Sequence, residues 1–146
     1  MFEIVVLESE VYELHMLMSE VANVRFGDAA CSYTDEEKLI ELIKDADGVV
    51  ITSRGKFTRK VISAAKRLKI IAKCGAIPNN VDIAAATEYG VAVTWTPGSN
   101  PTSVAEHALT MMMSLLKLVP QTMRGLQQGK WHTPEQKASE LSGKTI

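Results

Sequence analysis

Cysteine is scarce in this 146-residue sequence, and neither charge predominates. Its two cysteines, Cys31 and Cys74, cannot build a disulfide framework and fit no C-x-x-C metal spacing. A reducing compartment, the cytoplasm, is therefore expected. Lys plus Arg number 16 against 17 Asp plus Glu, a formal net charge of −1. That balance argues against a nucleic-acid partner held by bulk charge. No apolar run reaches the ~18 residues of a membrane span, because the longest candidate carries Glu106, His107 and Lys117. Met1-Phe2-Glu3 lacks the positive start of a secretory leader, so no membrane partner is expected. The nine glycines never fall two apart, which removes G-x-G-x-x-G. G-x-x-x-x-G-K-[ST] is missing too, although Gly143-Lys144-Thr145 mimics its tail. A dinucleotide cannot be held by either route alone. His15, His107 and His132 share no catalytic or metal spacing, and no metal site is expected.

What is present reads as strand and helix in alternation. Ile4–Leu7 and Gly48–Ile51 are short continuous apolar runs, as in strands buried on both faces. Asn23–Phe26, Ile70–Ala72 and Val91–Val93 add three more. Helical spacing links Val11, Leu14, Leu17 and Met18. Thr34-x-x-Glu37 is a capping-box pattern opening a helix that turns Leu39, Ile40 and Ile43 inward. A third helix starts near Thr58 with Val61, Ala64, Ala65 and Leu68 on one stripe, and a fourth covers Val81–Glu88. Five such strands with intervening helices imply an α/β fold on a parallel sheet. A receiver domain shares this alternation, but its phosphoacceptor Asp would stand where Thr52-Ser53 stands. Past Pro97-Gly98 the pattern changes. Ser103-x-x-Glu106 predicts a second capping box, and the helix runs to about Val119, with Pro120 bending it or starting another. Val104, Leu109, Met111–Met113, Leu115 and Leu118 surround its axis, so burial on most sides is expected.

Charge is unevenly spread. Residues 1–47 carry 12 acids and 3 bases, whereas residues 48–81 carry no acid and 8 bases. The basic stretch is either a solvated helix face or an attractor of anions. Ligands of open parallel sheets bind beyond the carboxyl ends of the strands. Those ends are Leu7-Glu8-Ser9, Thr52-Ser53-Arg54-Gly55, Lys73-Cys74-Gly75-Ala76 and Thr94–Gly98. Hydroxyls, a guanidinium and glycine-loosened amides there suit a small anion, and ordinary loop chemistry is the competing reading. Cys74 beside Lys73 is either a thiol of lowered pKa or a buried structural cysteine.

From Lys73 onward the sequence resembles the D-isomer-specific 2-hydroxyacid dehydrogenases. The resemblance rests on Lys73–Ala76, Asn80-Val81-Asp82, Ala85–Val93, Thr96–Asn100, Ser103–Ala108, Gly129-Lys130-Trp131 and Leu141–Ile146. It implies a flavodoxin-like five-stranded substrate-binding domain over residues 1–99, with helices on both faces. Residues 100–146 would hold interdomain helices and the start of an NAD-binding Rossmann domain, missing here, to which the long apolar helix belongs. It also implies oxidation of the CH–OH group of a D-2-hydroxy acid, with phosphoglycerate among the candidates, and NAD or NADP in the full-length protein. The amides of Gly75, Ala76 and Ile77 would meet the substrate carboxylate, and Ser53 and Arg54 would assist. Val104 would approach the nicotinamide, and Ser103–Val119 would support a homodimer. The family's catalytic Arg, Glu and His lie beyond Ile146, so the resemblance gives no residue here a catalytic role and predicts an inactive chain. Ile77-Pro78-Asn79 departs from the family's Gly, apolar residue and Asp; Ile77 removes a permissive backbone position and Pro78 one donor. A freestanding anion-binding or dimerisation module without catalysis is the alternative.

Overall fold

Gly48-Val49-Val50-Ile51 forms the middle strand of a five-stranded sheet, and all four residues are buried. A computed structural model describes residues 1–8, 17–27, 33, 35–131 and 137–145. Val11, Leu14, His15, Cys31, Thr34 and His132 lie outside the described residues. The chain divides into two compact units, Met1–Ser99 and Asn100–Ile146.

In the first unit β1 (Phe2–Val6), β2 (Ala22–Phe26), β3 (Gly48–Ile51), β4 (Ile70–Lys73) and β5 (Ala92–Trp95) are all parallel, in the order β2-β1-β3-β4-β5. Three described helices alternate with them: α1 (Glu36–Ile43), α2 (Arg59–Ala64) and α3 (Ile83–Glu88). Period-two alternation puts Val5, Leu7, Val49, Ile51 and Ile71 into one cluster with Leu39 and Ile43 of α1, Val61 and Ile62 of α2, and Ala85 and Ala86 of α3. Val6 and Val50, paired in register, are buried outside that cluster. Gly48 stands in register between Ile4 and Ile70, and a Cβ on it would come within 2.8 Å of Ile4 Cδ1. Its bare backbone leaves room for both isoleucine side chains over the middle strand.

Helix starts differ from the sequence patterns by one or two residues. The oxygen capping α1 belongs to Asp35, accepting from Glu37 N–H at 3.0 Å. Thr58 caps α2 and Asp82 caps α3. β5 begins at Ala92 and runs to Trp95, later than the apolar run Val91–Val93 suggests. Val91 is buried instead in the turn before the strand.

The second unit holds α4 (Pro101–Leu116) and α5 (Val119–Gln127). Ser103 does not cap α4; Asn100 precedes it and Pro101 occupies the first turn, where proline's fixed φ and missing N–H suit a helix start. Leu118, in the left-handed region at φ 54°, ends the first helix, and Pro120 lies in the first turn of the second. Within this chain no residue of α4 is buried. His107 is exposed.

Candidate functional site

Adjacent strands β3 and β4 end on the same ladder pair, Ile51 and Lys73, and Cys74 N–H donates to Ile51 C=O at 2.8 Å. The loops leaving them therefore start side by side. One carries Ser53, exposed, and Arg54, half-buried; the other carries Gly75, half-buried, with Ala76 and Ile77 exposed. The structure thus brings five of the six expected binding residues to one end of one sheet. Val104, the sixth, is exposed in the Asn100–Ile146 unit.

The Gly75 loop is tied to the next strand. Gly75 N–H donates to Thr96 Oγ1 and Thr96 N–H to Gly75 C=O, both at 3.0 Å. Gly75 thereby spends its amide on shaping the loop. Among the described residues the amides of Ala76 and Ile77 have no partner. An added Cβ on Gly75 would sit 3.2 Å from Lys73 Cε, so its bare backbone makes room for the lysine stem. Lys73, buried, donates through Nζ to Thr52 C=O. Cys74 is exposed, which overturns its reading as a buried structural cysteine.

Thr52 collects bonds from three directions. Glu8, 1% exposed at the end of β1, accepts from Thr52 N–H at 3.1 and 3.2 Å and from Thr52 Oγ1 at 2.6 Å. Lys73 and Asn80 both donate to its carbonyl, Asn80 at 3.3 Å. Asn80 Nδ2 also reaches Arg54 C=O at 3.4 Å and Gly55 C=O at 2.9 Å. Fully buried Phe57 holds Asn80 in place: a parallel bridge pairs Phe57 with Val81, Phe57 N–H donates to Asn80 C=O, and Asp82 N–H to Phe57 C=O, each at 2.8 Å. A cleft of about 310 Å³ beside this bridge is lined by Lys56, Thr58, Asn79, Asn80 and Asp82 among others, and does not include Ala76 or Ile77.

Glu8, Lys73 and Asn80 were legible only as residue types near strand ends or within a motif. Their partners stand 21 to 44 residues away along the chain. No group of described residues could hold a metal ion. None of the glycines at positive φ (55, 75, 90, 98, 129 and 143) lies two residues from another, so the described residues form no glycine cradle for a dinucleotide. Among the described residues no helix is long and apolar enough to cross a membrane.

Comparison with known proteins gives this arrangement a family. A model of the D-isomer specific 2-hydroxyacid dehydrogenase catalytic domain matches residues 4–140. The D-3-phosphoglycerate dehydrogenase of Methanocaldococcus jannaschii is 39% identical over 130 residues, covering 89% of this chain and 24% of its own length. The protein of that name from Homo sapiens is 37% identical over 111 residues, covering 76% and 21%. An NAD+-bound 3-phosphoglycerate dehydrogenase from Entamoeba histolytica superposes with TM-score 0.70 at 32% identity, over 80% of this chain and 39% of that one. The TT0316 protein of Thermus thermophilus, at 22% identity and TM-score 0.82, shares the fold over 97% of this chain and 46% of its own. The chain spans about a quarter or less of the curated relatives it matches. On sequence and fold together, the chain belongs to the D-isomer specific 2-hydroxyacid dehydrogenases, a family of oxidoreductases.

Proposed function

We propose that this chain is the substrate-side portion of an NAD-dependent oxidoreductase acting on the CH–OH group of a D-2-hydroxy acid, in the manner of the phosphoglycerate dehydrogenases it resembles. The supporting observation is the Gly75–Thr96 pair, which shapes the loop at the strand ends and leaves the Ala76 and Ile77 amides unpartnered among the described residues. Two adjacent N–H dipoles suit a carboxylate, and the Ser53 hydroxyl and Arg54 lie on the neighbouring loop. Ile77 supplies its amide despite replacing a glycine, and its exposed side chain borders the acid.

The family's dinucleotide does not fit the residues described here, and no step is derived through it. The shares of the relatives' lengths support a further portion that carries the cofactor and the proton-transfer chemistry, with Val104 at the nicotinamide side and α4 joining two copies in a homodimer. The 146-residue chain alone orients the acid and turns nothing over.

Two measurements test this reading. Incubation of the chain with NADH and 2-keto acids should give no turnover above background, while calorimetry should detect weak binding of the acids. Turnover by the chain alone, or no binding of any 2-keto acid, contradicts it. The intact mass of the protein from its native cell separates the alternatives: a mass well above 16.0 kDa fits the enzyme portion, and one of 16.0 kDa fits a freestanding module.

A further inference from the structure

We infer that Asn80 is the positioning residue of the β3 loop, and that it sets which side of residues 52–56 presents amide N–H groups to an anion. The inference rests on the reading of the strand ends as an acid-binding site, and it extends that site to backbone donors of a second loop.

Asn80 Nδ2 has two hydrogens and faces three carbonyls, those of Thr52, Arg54 and Gly55, at 3.3, 3.4 and 2.9 Å. Its Oδ1 is buried with no hydrogen-bond partner among the described residues. An amide rotated by half a turn would aim that oxygen at three carbonyl oxygens, so the repulsion fixes the orientation seen. A buried acceptor left unmatched is uncommon in folded proteins. Here it accompanies the gathering of three carbonyls onto one donor group.

Peptide geometry turns this into a statement about the other face. Every peptide bond described is trans, so each N–H points opposite to the carbonyl of the same peptide. With the Thr52, Arg54 and Gly55 carbonyls drawn toward Asn80, the N–H groups of Ser53, Gly55 and Lys56 point away from it. Among the described residues none of these three amides has a hydrogen-bond partner. Lys73 pulls the Thr52 carbonyl the same way, and Glu8 takes the Thr52 N–H on the other side of that residue. Gly55 at φ +74° completes a turn that a side chain would strain. The loop is thus polarised: its carbonyls face Asn80, and the amides of the exposed Ser53 and Lys56 face the other way, Gly55 being buried. The neighbouring loop carries the Ala76 and Ile77 amides, unpartnered among the described residues. Asn80 touches no ligand in this arrangement; it acts through the backbone it orients.

The test is amide-resolved NMR on the full chain, with pyruvate as the probe. In the unmodified chain the Thr52 amide should exchange with solvent at least roughly tenfold more slowly than that of Ser53, and pyruvate should shift Ser53, Lys56, Ala76 and Ile77. Asn80→Asp keeps the shape and removes both donors. It should move the 52–56 amides, leave the strand amides in place, and weaken pyruvate binding by roughly tenfold. Val91→Ala, a buried change outside both loops, should lower stability and leave the affinity unaltered. Unmoved 52–56 amides in Asn80→Asp with native affinity would overturn the assignment, as would a Ser53 amide protected as well as that of Thr52. If the unmodified chain binds no pyruvate, the acid-binding reading fails. The role of Asn80 is then decided by whether Asn80→Asp displaces the 52–56 amides. If Asn80→Asp does not fold, the Thr52 and Ser53 exchange rates of the unmodified chain decide.

Discussion

At the N-terminal end of the sheet Asp47 meets Glu3 N–H at 3.0 Å, Arg67 at 2.7 Å and Lys69 at 3.2 Å. At the C-terminal end Glu8, also buried, accepts only from Thr52 among the described residues. The first carboxylate is closed by opposite charge, with Lys69 also lying over the Phe2 ring at 5.2 Å. Glu3 N–H above all, then Lys69 and Arg67, hold its pKa down at about 2 against an ordinary 3.8. The second carboxylate spends its bonds on one neutral residue and so fixes a backbone turn. One end of the sheet is latched by charge, and the other is shaped by hydrogen bonds that leave amides facing outward.

The largest expected effect comes from the shaped end. Phe57→Ala should lower unfolding free energy by about 3–5 kcal/mol, as for a fully buried aromatic, and should loosen the packing behind the main-chain bridge to Asn80, whose hydrogen bonds an alanine keeps. Urea unfolding followed by tryptophan fluorescence checks the first part, and amide shifts at 52–56 check the second. A loss under about 1 kcal/mol would mean the site collapses to fill the space. Glu8→Gln comes next: it sets an amide against Thr52 N–H and should cost about 2 kcal/mol, with the β3 loop perturbed more than β2. An unperturbed loop would remove Glu8 from the account.

The latched end should answer to pH. The Asp47 carboxyl lies below its unfolded value, so its stabilisation is complete above about pH 4 and is lost as pH falls toward 2. Asp47→Asn should therefore be less stable at neutral pH and show a flatter stability curve across that window. An unchanged acid limb would contradict the latch. Smallest of all is Asn23→Ala, which loses an exposed 2.7 Å bond to Glu3 and should cost roughly 0.5 kcal/mol.

Much of the fold was legible in apolar runs. Gly48–Ile51 and Ile70–Ala72 fall within one residue of the observed strands, because a run buried on both faces has no other stable place. Helix starts were less legible. Ser103-x-x-Glu106 has the letters of a capping box, yet Pro101 begins the helix three residues earlier than that box would. The strand-end loops bearing Ser53 and Gly75–Ile77 were legible from the rule that ligands meet parallel sheets there. The parts that shape them were not. Glu8 and Thr52 are 44 residues apart, and only strand order reveals that they touch. Cys74 shows the same limit from the other side: an apolar neighbourhood in sequence did not make it buried.

The most direct test of the contrast is a pyruvate titration of the whole chain followed at every backbone amide. The account predicts shifts at Ala76 and Ile77 and along Ser53–Lys56, with Phe2, Asp47 and Lys69 unmoved. Shifts confined to the Asp47 end, or no shifts at any concentration, would contradict it.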